Sequence, residues 1–261
     1  MKNISALHRP IALLLAAAAA FSLCACSSAP SETEAAPEPI PSAASAPEET
    51  VLPEEAVPTA PLPDIDITSW EFILANSYNS ITEYEPEYGG FSGQGLDNRI
   101  VEAASAFLQA ARDEGYKVYL AVGYRNYEYL LNYYDRAVRH LGGSEEAAKV
   151  ALGPGVNEHQ TGLAIDITDD IDFAPYYNDF ENQDIEDTEV YQWMYEHCQE
   201  YGFIARYPEG KEGFYGTPCR CGHFRYVGVE AAAYIMENNL CLEEFLLLYD
   251  ENAAFVPNMA K

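Results

Sequence analysis

Two histidines and an aspartate stand out as residues able to do chemistry together. His159 and Asp166 are separated by six residues in the run 157–166, and His223 opens the apolar stretch HFRYV. Imidazole and carboxylate are the ligand types that zinc takes in catalytic sites, where three protein groups leave a fourth position for water. A metal held this way brings the pKa of that water close to neutral and polarises carbonyl groups, which is the chemistry of hydrolysis. Taken singly, each residue has another use: His159 can cap a loop, Asp166 can join a hydrogen-bond network, and His223 can be a satisfied core histidine. His140, at a helix end, and His197, in a buried helical stripe, are read in that second way.

The elements around these residues follow from apolar periodicity. Ile100, Val101, Ala104, Phe107, Leu108 and Ala111 recur at helical spacing over 96–115, with Asp97 placed to cap the start and Gly115 to end it. Residues 117–122 are β-branched and aromatic and read as a short strand leading into Gly123-Tyr124-Arg125, followed by a helix over 126–141 and a further turn or two over 144–152. The Gly153-Pro154-Gly155 break precedes a buried strand over 162–168. Val190, Trp193, Met194, His197, Cys198 and Tyr201 mark the buried stripe of another helix, closed by Gly202. A strand over 223–227 and helices over 229–237 and 242–249 complete the chain. This is not the regular strand-helix rhythm of a doubly wound sheet. It predicts an α+β domain, a small, mostly antiparallel sheet packed by helices.

The chain has 261 residues, and its N-terminus is set apart from this domain. Lys2, His8 and Arg9 precede an apolar run over 11–23, too short to span a bilayer, so 1–25 reads as a signal peptide. Its end, Leu23-Cys24-Ala25-Cys26, resembles the bacterial lipobox, which makes Cys26 the lipidated first mature residue. Residues 26–65 are rich in Pro, Ala and Glu and cannot bury enough surface to offset ordering entropy, so a disordered tether is expected, then a folded domain over 66–252 and a tail over 253–261. This predicts an extracytoplasmic protein anchored to the cell membrane by its lipid. The net charge of −28 excludes nucleic acid as a partner, and a monomer is expected. Cys198, Cys219, Cys221 and Cys241 allow three pairings, of which Cys198 with Cys241 is preferred because a Cys219–Cys221 bridge is strained.

The motifs EHQTGLAIDI, GYRNYEY, and YGFIARYPEGKEG followed by HFRYVG occur in the order found in the VanY-like D-alanyl-D-alanine carboxypeptidases. The chain resembles that family, zinc metallopeptidases of the peptidoglycan in the LAS superfamily, over residues 70–249. The resemblance implies the zinc DD-peptidase/hedgehog-like fold and zinc bound by His159, Asp166 and His223. It also implies removal of C-terminal D-Ala from peptidoglycan stem peptides. The family's Gly-Tyr-Arg motif falls on Arg125, whose guanidinium would grip the terminal carboxylate through paired hydrogen bonds.

Three positions depart from the family pattern. The general-base Glu three residues before the second His becomes Arg220, and a guanidinium cannot accept a proton. A Gln five residues after the Arg becomes Leu130, and a Ser two before the first His becomes Asn157; both are substrate-side positions in the family. Four readings follow. A base comes from elsewhere, with Glu158, Glu209 and Glu212 nearest in sequence; or the chain is a catalytically impaired, zinc-bearing peptidoglycan-binding module. Alternatively, Cys219 or Cys221 closes the zinc site as a fourth ligand, or Cys221 works with His223 as a nucleophile.

Overall fold

The computed structural model describes residues 61–253 apart from 146, 148–150, 171–184 and 219. The expected signal peptide, most of the expected tether, much of the acidic run after Asp170, and Cys219 lie outside the described residues. The folded part begins slightly earlier than expected. The Pro63 carbonyl accepts a hydrogen bond from the Tyr249 hydroxyl at 2.7 Å, and Ile65 packs against the core.

Six strands and six α-helices make up the described fold: β1 (Tyr88–Phe91), β2 (Gln94–Asp97), α1 (Val101–Asp113), β3 (Tyr119–Val122), α2 (Tyr127–Leu141), β4 (Ala164–Thr168), α3 (Glu189–His197), β5 (Phe203–Tyr207), α4 (Glu212–Tyr215), β6 (Arg220–Tyr226), α5 (Val229–Glu237) and α6 (Leu242–Leu247). A four-stranded sheet has the order β3-β4-β6-β5 with every pairing antiparallel, and β1 and β2 form a separate hairpin. The α+β expectation holds, and the sheets are open.

Period-two alternation divides the sheet into two faces. Ile165 and Ile167 of β4, Phe203 and Ala205 of β5, and Phe224 of β6 join Phe107 and Leu108 of α1 and Met194 of α3 in one core. Phe107 is fully buried, with its ring centroid 5.4 Å from those of Phe203 and Phe224. The second core holds Ile204, Phe72, Leu74 and the apolar sides of α5 and α6.

The helix expected over 96–115 starts later, at Val101, because residues 94–97 are spent on the β1–β2 hairpin. Asp97 ends β2, where its carboxylate accepts from the backbone N–H and Nε of Arg99. The hairpin and β5 escaped the periodicity reading, since β1 and β2 carry three glycines and only Phe91 and Leu96 as large aliphatic or Phe residues. Asn126, read as the first helical residue, instead caps α2 by accepting from Tyr129 N at 2.8 Å, worth about 1 kcal/mol. His197 is partly exposed rather than buried in the stripe; it stacks on Trp193 and contacts Glu200. The preferred Cys198–Cys241 bridge is not formed, because each sulfur is buried in a separate cluster.

Candidate metal centre

The two central strands deliver two of the predicted ligands. Asp166 and His223 are direct Cα partners in the β4–β6 pairing, so alternation puts both on the face away from Ile165 and Phe224. His159 arrives from the 3-10 turn Glu158–Thr161 that feeds β4. Each residue of that turn has a task. The Asn157 side chain caps it by accepting from His159 N at 3.0 Å, and Thr161 closes it by donating to the Glu158 carbonyl at 2.6 Å. Gln160 is buried and ties the turn to Gly155 N and to the carbonyls of Ile81, Thr82 and Tyr84. Gly162 then reverses the chain at φ +73°, where a Cβ would lie 3.0 Å from Asp97 N and Pro86.

The result brings His159, Asp166 and His223 together with one ligand atom from each within 4.8 Å of the others. His159 Nε2 lies 3.0 Å from Asp166 Oδ2, and His223 Nδ1 lies 2.6 Å from Asp166 Oδ1. The imidazoles meet edge to face with centroids 4.9 Å apart. These separations suit zinc, whose bonds of about 2.0 Å give a tetrahedral edge of about 3.3 Å. All three residues are buried. Burial pushes the Asp166 carboxyl up, but the two histidines outweigh it and hold it well below the usual carboxylate range. Burial dominates at His159 and lowers its pKa, which keeps its lone pair available, whereas at His223 the effect of burial is outweighed by Asp166 and the net shift is upward.

Arg125 stands beside this centre. Its backbone N–H donates to the His159 carbonyl at 3.0 Å, Nη1 donates to Gln94 Oε1 at 2.6 Å, and the guanidinium lies over the Tyr129 ring at 4.7 Å. Its Nε and Nη2 donate to none of the described residues, which leaves two donors for a carboxylate. The hairpin that supplies Gln94 was not expected, so this support for Arg125 was invisible beforehand.

The other predicted positions behave differently. Leu130 is only 2 % exposed and presents almost no surface to a ligand. Asn157 is committed to its cap and to the Leu152 carbonyl. Arg220 opens β6 as the Cα partner of Tyr207, and its Nε and Nη2 are buried without hydrogen-bond partners. A bulge separates it from His223: between Ala205 and Tyr207 of β5, β6 advances from Phe224 back to Arg220, with Gly222 at φ +75°. Cys221 donates its thiol to Glu186 at 2.7 Å and is not part of the ligand cluster.

Of the substitute bases considered, Glu158 is fully buried. Its Oε1 accepts from Arg206 Nε at 2.8 Å and Arg225 Nη1 at 2.7 Å. Burial raises its pKa, yet Arg206 and Arg225 outweigh burial and hold it well below the usual range, which makes it a poor proton acceptor. Glu212 accepts from Gly210 N in its own turn, and Glu209 is exposed.

Comparison with known proteins places this fold among those of the zinc DD-peptidases. The family profile described as VanY, D-alanyl-D-alanine carboxypeptidase, matches residues 93–229. A D-alanyl-D-alanine carboxypeptidase of Enterococcus faecalis is 35 % identical over 193 residues, which cover 69 % of this chain and 67 % of the relative. A putative carboxypeptidase of Bacillus subtilis, YodJ, is 37 % identical over 151 residues, 58 % of this chain and about half (53 %) of that protein. Among solved structures, the vancomycin resistance D,D-pentapeptidase VanY from a VanB-type cassette, a variant in complex with Zn(II), is 34 % identical with a TM-score of 0.57, covering 68 % of this chain and 99 % of its own. VanYB in complex with D-alanine-D-alanine gives the same identity and TM-score, over 68 % of this chain and 98 % of that one. The chain belongs to the VanY D-alanyl-D-alanine carboxypeptidase family.

Proposed function

We propose that this protein is a zinc-dependent carboxypeptidase-type protein of the cell envelope, held to the membrane by a lipid on Cys26 and directed at the C-terminal D-Ala of peptidoglycan stem peptides. The observation that carries the reading is the buried His159–Asp166–His223 cluster with the open donors of Arg125 beside it. Zinc held by the three ligands would supply Lewis-acid chemistry, polarising the scissile carbonyl and acidifying water. Arg125 binds the peptide's terminal carboxylate through Nε and Nη2, so that the last peptide bond, and no other, is presented. Gln94 and Tyr129 hold that guanidinium in place. The tether spaces the domain from the membrane as a monomer.

Arg220 limits the rate. It occupies the position of the family's base and cannot take up a proton, and loss of a general base slows turnover by about two to four orders of magnitude. The same residue favours a second reading, a module that holds peptide ends without cutting them.

The test is release of D-alanine by the purified zinc-loaded protein from stem peptides ending in D-Ala-D-Ala or in a single D-Ala. Slow release that His159→Ala abolishes is expected. Tight peptide binding with no release above a zinc-free control establishes the second reading, and absence of both release and binding overturns the two together.

A further inference from the structure

Glu158 precedes the ligand His159 in the chain but serves the other ligand, His223. Its Oε1 is taken by Arg206 and Arg225, while its Oε2 is buried with no hydrogen-bond partner. His223 Nε2 is also buried with no partner, and the two atoms lie 3.9 Å apart. That distance is about 1 Å too long for a hydrogen bond. Complementary orphan atoms facing one another in the interior are costly to leave unmade, and a small tilt of the imidazole joins them.

The two edges of the His223 ring therefore have different neighbours. Nδ1 faces Asp166 at 2.6 Å, on the metal side; Nε2 faces Glu158, on the far side. Ligation through Nδ1 requires that nitrogen to be bare, so the ring proton must sit on Nε2. Asp166 alone would favour the opposite tautomer, because its carboxylate attracts a proton to Nδ1.

We propose that Glu158 is a positioning residue for the metal centre: its Oε2 accepts the Nε2–H of His223 and so fixes the tautomer that turns the Nδ1 lone pair toward Asp166 and the metal. Arg206 and Arg225 hold the carboxylate there. Arg206 is in turn gripped by Glu243, at 2.8 Å from Nη1 and 2.6 Å from Nη2, and Asn76 donates to Glu243 at 2.7 Å. This buried chain runs from α6 through β5 to the back of the ligand ring. The inference rests on the zinc reading and adds an orienting residue to it.

The experiment measures the zinc dissociation constant of the full chain by competition with a chromophoric chelator, alongside the melting temperature without metal, for wild type, Glu158→Gln and Glu243→Gln. In Glu158→Gln, an amide N–H turned toward Nε2 would draw the ring proton to Nδ1. Zinc affinity should then fall about 10- to 100-fold. Glu243→Gln weakens the same ion chain at its other end, so its melting temperature should fall, and its loss of zinc affinity should be smaller than that of Glu158→Gln because Arg225 still holds the carboxylate. Unchanged zinc affinity in Glu158→Gln overturns the proposal. So does an equal loss in Glu243→Gln, which would assign the effect to the whole ion chain. If Glu158→Gln does not fold, the Nε2 proton of His223 in zinc-loaded wild type decides: a downfield, carboxylate-bonded resonance supports the inference and an ordinary solvent-bonded one overturns it. Wild type that takes up no zinc overturns the proposed function as well, which separates the two failures.

Discussion

The two faces of β4 and β6 come from one alternating run of residues and are built on opposite rules. On one side Ile165, Ile167 and Phe224 fill a core around Phe107, where volume and shape are what matter. On the other, Asp166, His223 and Arg225 each meet particular atoms at set distances: Asp166 lies 2.6 Å from His223, and Arg225 lies 2.7 Å from Glu158. The apolar face can be repacked with losses graded by volume. The charged face has no such tolerance, because a missing partner leaves a buried charge unpaired. The candidate metal centre thus sits on a platform whose stability is supplied from the reverse side of the same strands.

The sharpest test of this division is Arg220→Glu, which changes chemistry on the charged face and leaves the apolar core untouched. D-alanine release should rise by about two to four orders of magnitude, measured under saturating zinc. A rate within a few-fold of wild type would show that the base position is not what limits turnover.

Phe107→Ala addresses the opposite face and should lower stability by about 3–5 kcal/mol in denaturant unfolding. The fraction that stays folded should still bind about one equivalent of zinc, as a site with three protein ligands requires. Loss of zinc in parallel with packing would mean that the two faces are coupled rather than independent.

Acid should act on the charged face first. The folded-state pKa of Glu158 is depressed, because Arg206 and Arg225 outweigh the upward push of burial. The stability it lends is therefore complete above its unfolded pKa of about 4.3 and is withdrawn as the pH falls toward the folded value. In metal-free protein this one group should add up to about 1.4 kcal/mol per pH unit to the slope of unfolding free energy below about pH 4. Glu158→Gln should flatten that slope, and an unchanged slope would show that Glu158 is not held ionised.

The smallest effect expected concerns the thiols. Burial pushes Cys198 up to about 12 and Cys241 well above its ordinary range. Neither should react with a maleimide at pH 8 until the protein is unfolded, as peptide mapping of the labelled chain would report.

Much of the fold was legible in the sequence. The apolar spacing of Ala104, Phe107, Leu108 and Ala111 marked the inner face of α1, and Gly202, read as the end of its helical segment, has a left-handed φ of +79°. Strands β3 and β4 fell within the runs read as strands. The β1–β2 hairpin was not legible, because Gly89, Gly90, Gly93 and Gly95 give no alternation to detect. The start of β6 was hidden by Arg220-Cys221-Gly222, whose bulge breaks the period-two pattern.

The site divides in the same way. Residue type makes His159, Asp166 and His223 able to bind metal, and it is the resemblance of their motifs to the VanY-like family that selects the three together. Only tertiary structure set Asp166 opposite His223 across two strands and brought Arg125 under Gln94 of a distant hairpin. It also turned Glu158 from a candidate base into a buried anion, because burial and two arginines that follow it by 48 and 67 residues decide whether a carboxylate can take a proton. Chain order specifies which groups are available; what each can do depends on the charges and solvent that folding leaves around it.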